Sequence, residues 1–183
     1  MSFQNQFTKT TTDANLMETV HHGSAEYPFR YYYENIALFD FKCIDWHWHS
    51  ELEFIYIESG NVVFDIGTVH FELNEGNGIM INSKILHRLQ SSSDAIIPNF
   101  LFQPSFIAPQ DSLIYKKYIN PVISSSLEYL VFQPDIPWQK KALEIIKTII
   151  AVQETEFNRE IIVSMSVPVS YTHLRAHETP EHL

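Results

Sequence analysis

The side chains best suited to chemistry in this sequence are His47, His49 and Glu53, in the run HWHSELEFIYIESG, together with His87. On a β-strand, positions 47, 49 and 53 share one parity and project from one face. Neutral imidazoles and a carboxylate gathered on one face can ligate a divalent metal. The same groups can exchange hydrogen bonds with the hydroxyls of a small polar ligand. They can also satisfy one another inside a protein core. Gly76 lies eleven residues before His87, and an antiparallel fold can bring His87 to the first three residues.

Such a fold is what the surrounding pattern predicts. Short apolar runs occupy 36–43, 52–57, 62–66, 69–73, 79–81, 87–90 and 96–102, with turns at Gly60-Asn61, Gly67-Thr68 and 75–78. Closely spaced strands with glycine-bearing turns predict an antiparallel barrel or sandwich. Beyond Pro109 the pattern predicts a short helix over 111–118, a last strand over 127–132 and a helix over 137–153. In that helix Trp138, Ala142, Ile145, Ile146, Ile149 and Ile150 form the apolar stripe and Leu143 falls off its centre. A second helical pattern begins near Glu156 and includes Ile161 and Ile162. Residues 1–25 are polar and aperiodic and read as a flexible arm, with His21-His22 expected in solvent. Trp46, Trp48 and Tyr56 have the parity opposite to the histidines and are expected to pack on the outside. Arg30 with Tyr31, Tyr32 and Tyr33 reads either as a pocket wall carrying a carboxylate-binding guanidinium or as an ordinary strand.

Composition bounds the partners. The chain has 183 residues, 45% hydrophobic and 14% aromatic, which is globular composition. Its net charge of −10 repels phosphate backbones, and no Lys/Arg stripe occurs, so DNA contact by these residues alone is not expected. The single cysteine, Cys43, forms no internal disulfide and reads as a small hydrophobe. No membrane-length apolar run or secretory leader pattern appears, so a cytoplasmic location without membrane contact is expected.

The spacing H-x-H, three residues, E, six residues, G at His47, His49, Glu53 and Gly60 resembles the first motif of the cupin superfamily. The glycine that opens that motif is Phe41 here. Gly76 and His87 match the second motif, whose inner proline, inner glycine and final asparagine are Asn82, Lys84 and Ser91 here. A narrower resemblance runs from about Tyr31 to Val163. The segments WHWHSELEFIYIESG, EGNGIMIN, YKKYINPVISSSLEYLVF and PWQKKALEIIKTII resemble the N-terminal domain of AraC-type transcription regulators. This implies a mainly β fold, with a cupin-type jelly-roll barrel at 26–108 followed by a helical linker and dimerisation segment at 109–163. It further implies a non-enzymatic, effector-sensing homodimer that reaches DNA through a helix-turn-helix domain absent here. The effector would be a small polar molecule, with carbohydrate as one candidate, bound by His47, His49, Glu53, His87 and Arg30. No cofactor is expected on this reading. A divalent metal on His47, His49, Glu53 and His87 belongs to the alternative, a small cupin metalloenzyme of dioxygenase or isomerase type. The last stretch, PVSYTHLRAHETPEHL over 168–183, resembles translated sequencing-adaptor DNA and is expected to be non-native, so His173, His177 and His182 are not counted toward a site.

Overall fold

The computed structural model describes residues 9–154 and 159–177. Among the described residues nine strands form two antiparallel sheets: β1 (Phe29–Asn35), β2 (Cys43–His47), β3 (Leu52–Tyr56), β4 (Asn61–Ile66), β5 (Val69–Asn74), β6 (Gly78–Ile81), β7 (His87–Gln90), β8 (Ile96–Phe102) and β9 (Tyr129–Phe132). The orders are β1-β8-β3-β6-β9 and β2-β7-β4-β5. The first eight strands pair across the two sheets in jelly-roll order, with β9 added beside β6, and the expected mainly β, cupin-type fold is borne out. The run predicted as a strand over 36–43 differs. It forms two short turns, Ile36–Leu38 and Asp40–Lys42, before β2 begins. Asn35 Oδ1 accepts from the Ala37 amide, and Phe41 and Lys42 take positive φ, which no strand allows.

The two sheets read differently in sequence because their burial differs. In β4, inside and outside alternate regularly; β3 and β6 are nearly continuous apolar runs. One face of the larger sheet meets the smaller sheet through Ile55, Ile57, Phe64, Ile66 and Ile79. Its other face carries Phe54, Phe100, Phe102 and Phe132, with Phe54 and Phe100 stacked at 5.3 Å between ring centres. Helices cover this second face: a helical turn Tyr115–Ile119 running into α1 (Asn120–Ile123), then α2 (Pro137–Ala151) and α3 (Arg159–His177). A sheet buried on both faces loses its period-two signal.

Helix α2 turns differently from its predicted stripe. Leu143 is fully buried with Gln139, Ala142, Ile146 and Ile149, whereas Ile145 and Ile150 only flank the core. Gly78 is the cause. A Cβ there would stand 2.9 Å from Leu143 Cδ2, so the missing side chain lets Leu143 approach the sheet. Helix α3 continues its backbone across Pro168, through the first part of the stretch expected to be non-native; 178–183 lie outside the described residues, as do 1–8 of the expected arm.

Candidate effector cavity and histidine cluster

The fold brings His47, His49, Glu53 and His87 together. His47 ends β2 and pairs with His87 at the start of β7. His49 follows in the connection to β3, and Glu53 projects from β3 toward the opposing sheet. The rings of His47 and His87 lie 4.1 Å apart and those of His49 and His87 5.2 Å apart. All four residues are buried, His87 completely.

Backbone carbonyls orient the three imidazoles. Nδ1 of His47 donates to Asp45 O at 2.8 Å, Nδ1 of His87 to Ile85 O at 2.8 Å, and Nδ1 of His49 to Glu51 O at 3.2 Å. A carbonyl has no proton to give, so each Nδ1 carries the hydrogen. Nε2 of His49 lies 3.3 Å from Glu53 Oε2. Nε2 of His87 lies 3.2 Å from the same oxygen but without hydrogen-bond geometry, and it has no hydrogen-bond partner. Burial, then the neighbouring His87 and His49, hold His47 well below its ordinary range and keep it neutral. Burial works to raise the Glu53 carboxyl, but His49 and His87 override it and hold it well below the usual carboxylate range.

These donors fit a divalent metal. His47, His49 and His87 each offer a ligand atom, all within 4.8 Å of one another. Fixed Nδ1–H tautomers and an orphaned buried nitrogen are what a histidine metal site provides before the ion enters. Such an ion would supply Lewis acidity or a charged anchor for a ligand oxygen.

Beside the cluster lies a partly open cavity of about 40 Å³. Its apolar wall includes Phe39, Ile44, Leu89 and Leu101, and its polar wall includes Glu18, His22, Tyr32, Glu34, Glu53 and Asn99. Glu34 stands on β1 and accepts from Asn99 Nδ2 on β8 at 2.7 Å. Burial and the nearby Glu53 push its carboxyl up to about 8, against the Asn99 hydrogen bond. Sequence reading offered Tyr32 as part of a pocket wall but missed Glu34 and Asn99. Tyr32 and Glu34 share a strand face, yet only the β1–β8 register, Tyr32↔Asn99 and Glu34↔Ile97, shows which face is inward.

The arm contributes Lys9, Thr10, Glu18, Val20 and His22 to the cavity wall and is pinned at Trp48. Met17 bridges Trp48, the Trp48 amide donates to Leu16 O at 3.0 Å, and Trp48 Nε1 donates to Asn15 O at 2.9 Å. The expectation of a solvated His22 is corrected. This ring is buried, with Nε2 3.0 Å from Glu18 and Nδ1 2.9 Å from the Tyr32 hydroxyl. Burial works to lower His22, but Glu18 overrides it and raises the imidazole. Arg30 does not line the cavity. It is exposed, 5.6 Å from the centre of the Tyr32 ring, and borders a separate groove with Tyr31, Gln153 and Arg159. The outward residues pack as their parity predicts, Trp46 under Arg88 at 5.3 Å and Tyr56 under Lys147 at 4.6 Å.

Residues 39–110 match the family model described as the AraC-like ligand binding domain, and the resemblance read from His47, His49, Glu53 and His87 is borne out there. Over 166 residues the chain is 30% identical to an uncharacterized HTH-type transcriptional regulator, YdeC, of Bacillus subtilis strain 168. That match covers 88% of this chain, which spans about half the length, 56%, of that relative. The crystal structure of ToxT from Vibrio cholerae O395, bound to (E)-4-(8-methylnaphthalen-1-yl)but-3-enoic acid, is similar in fold with a TM-score of 0.54 at 12% identity, over 81% of this chain and 57% of that one. A cupin-2 domain protein from Shewanella frigidimarina NCIMB 400 is 14% identical, with a TM-score of 0.36, over 40% of this chain and 69% of its own. Among the described residues no helix is long and apolar enough to cross a membrane.

Proposed function

We propose that this chain is the effector-sensing part of an AraC-type transcription regulator, and that its effector occupies the cavity between the histidine cluster and the arm. The observation that carries this reading is the cavity with polar groups on one wall inside the domain that matches a ligand-binding family. A space of about 40 Å³ holds a few waters and no sugar-sized molecule. Binding a larger effector therefore has to displace the arm from Trp48, and differential affinity for the two arm positions is the switch. DNA contact in this reading is made by a further domain, and the acidic chain supplies sensing and dimerisation. His47, His49, Glu53 and His87 form the floor of the site, and Arg30 stands outside it against the Tyr32 ring.

A screen of small polar metabolites by thermal shift tests the reading. An effector that binds the cavity raises the melting temperature, changes the Trp48 fluorescence and loses its effect in Glu53→Ala. A full screen with no such molecule removes the proposal.

A second reading, a cupin metalloenzyme, is favoured by the orphaned His87 Nε2 and the converging imidazoles. Metal analysis of purified protein separates the two. One divalent ion per chain, lost in His47→Ala, supports the metal site. Substoichiometric metal in a fully folded protein supports the sensor alone.

A further inference from the structure

The backbone that carries two of the clustered imidazoles also holds the arm. β2 is an edge strand of the smaller sheet. On its inner side His47 pairs with His87. On its outer side, one residue further, Trp48 takes the arm as an added strand. Its amide donates to Leu16 O at 3.0 Å, and its carbonyl accepts from the Glu18 amide at 2.9 Å. Both bonds need residue 48 extended, because an extended residue turns its N–H and C=O to the same edge. The same extension turns His47 and His49 to one face, where their rings meet His87. His49 is fixed from two further sides. Its carbonyl accepts from the Lys84 amide at 2.8 Å, and the His22 ring of the arm stands edge-on to its ring at 5.7 Å.

Three imidazoles whose ligand atoms lie within 4.8 Å of one another suit a divalent first-row ion. His87 Nε2, wholly buried with no hydrogen-bond partner, is the atom that such an ion would satisfy. Ligation by His47 and His49 together requires residue 48 to be extended, and that is the conformation with which the arm pairs. We propose that divalent-metal occupancy of the histidine cluster and closure of the arm are positively linked through Trp48, each stabilising the other. The linkage goes beyond the effector reading and rests on it only for the arm's part in switching. A loaded cluster would raise the effector concentration needed to release the arm.

Hydrogen exchange of the untagged full chain with and without Co²⁺ tests the linkage, with uptake followed by the visible absorption of the bound ion. Co²⁺ is expected to slow exchange of the Glu18 and Trp48 amides by about tenfold. The Asn77 amide, in the turn beside the far end of β3, is expected to stay unchanged. His47→Ala is expected to lose one bound ion and the slowing with it. Leu16→Pro tests the reverse direction with every imidazole in place. Leu16 holds a φ of 63° in the turn of the arm, and its amide donates to Asp13 O at 3.1 Å; proline permits neither. That variant is expected to free the arm and to weaken Co²⁺ by a similar factor, about tenfold, since linkage is reciprocal. Co²⁺ binding that leaves the two amides unchanged overturns the proposal. So does slowing that persists in His47→Ala or spreads equally to Asn77, undiminished Co²⁺ affinity in Leu16→Pro, or a cluster that takes up no Co²⁺. If the metabolite screen finds an effector while Co²⁺ fails to move the arm, the linkage falls and the effector reading stands. If the screen is empty while the two amides slow, the effector reading falls and the linkage stands.

Discussion

Phe41 and Lys84 stand where the cupin motifs carry glycine, and both keep the left-handed backbone that glycine serves, with φ of 58° and 64°. An L side chain held there costs about 1–2 kcal/mol, part of which glycine loses again through its freer unfolded chain. Lys84 is exposed, and its amide donates to His49 O at 2.8 Å, so its strained turn helps to seat the histidine cluster. Lys84→Gly is expected to stabilise the protein by about 0.5–1 kcal/mol in urea unfolding; a loss of stability would mean that the lysine side chain contributes more than the strain costs. Glu34 supplies a pH effect of definite sign. Its carboxyl, raised in the fold to about 8, stays protonated there after the unfolded chain has ionised. Stability is therefore full below the ordinary glutamate range and falls as pH rises toward 8. Glu34→Gln is expected to flatten that fall, by an amount on the order of 4 kcal/mol at the alkaline end, read from denaturation midpoints across pH. The spacing of His47, His49, Glu53 and His87 was legible in sequence because motif spacing survives without register. Glu34 and Asn99 were not, since their meeting depends on which strand lies beside β8.

At the scale of elements, Asn82 explains why the second motif departs from its pattern. It is buried, and its Nδ2 group donates to Val122 O at 3.0 Å and Leu127 O at 2.8 Å, while its Oδ1 accepts from the Ser83 amide. A proline at this position could make none of these bonds. The side chain ties α1 and the approach to β9 onto the barrel. Asn82→Leu strands two carbonyls and is expected to cost about 2–4 kcal/mol, seen as a lower melting temperature; an unchanged value would mean the carbonyls find other donors. The arm is a second such element. Its composition predicted no fixed structure, and composition does not reveal that His22 meets Glu18 and Tyr32 beneath it. Because the His22 imidazole is raised in the fold, its contribution to arm closure is present below the ordinary histidine range. That contribution fades as pH climbs through the raised value. Hydrogen exchange of residues 15–19 is expected to quicken from mildly acidic to mildly alkaline pH in the native chain, and to lose that dependence in His22→Ala.

At the scale of the molecule, the helices leave one face uncovered. Ile161, Met165 and Val169 recur every fourth residue along α3, with 59%, 68% and 45% of their surfaces exposed, while Val163 and Val167 turn into the core. An apolar stripe beside a buried one suits a second copy of the chain, in line with the dimerisation segment expected from sequence. Met165→Asp is expected to shift sedimentation from dimer to monomer without loss of fold; a monomeric native chain would show that the stripe serves something else. The helix positions were legible from their periodicity. The rotation of α2 was not, because it follows from the bare surface at Gly78 on another element.

The shared sheet has a consequence for how such a protein can diverge. Along β3 and β8, Glu53, Asn99 and Leu101 face the cavity, while Phe54, Phe100 and Phe102 face the helices. One thickness of backbone separates the two sides, as in a party wall. A lineage can change what it recognises by altering every other residue of these strands and keep its quaternary contacts, provided the substitutions leave the strand path intact. A single inserted or deleted residue there would exchange the two sets and erase both properties at once.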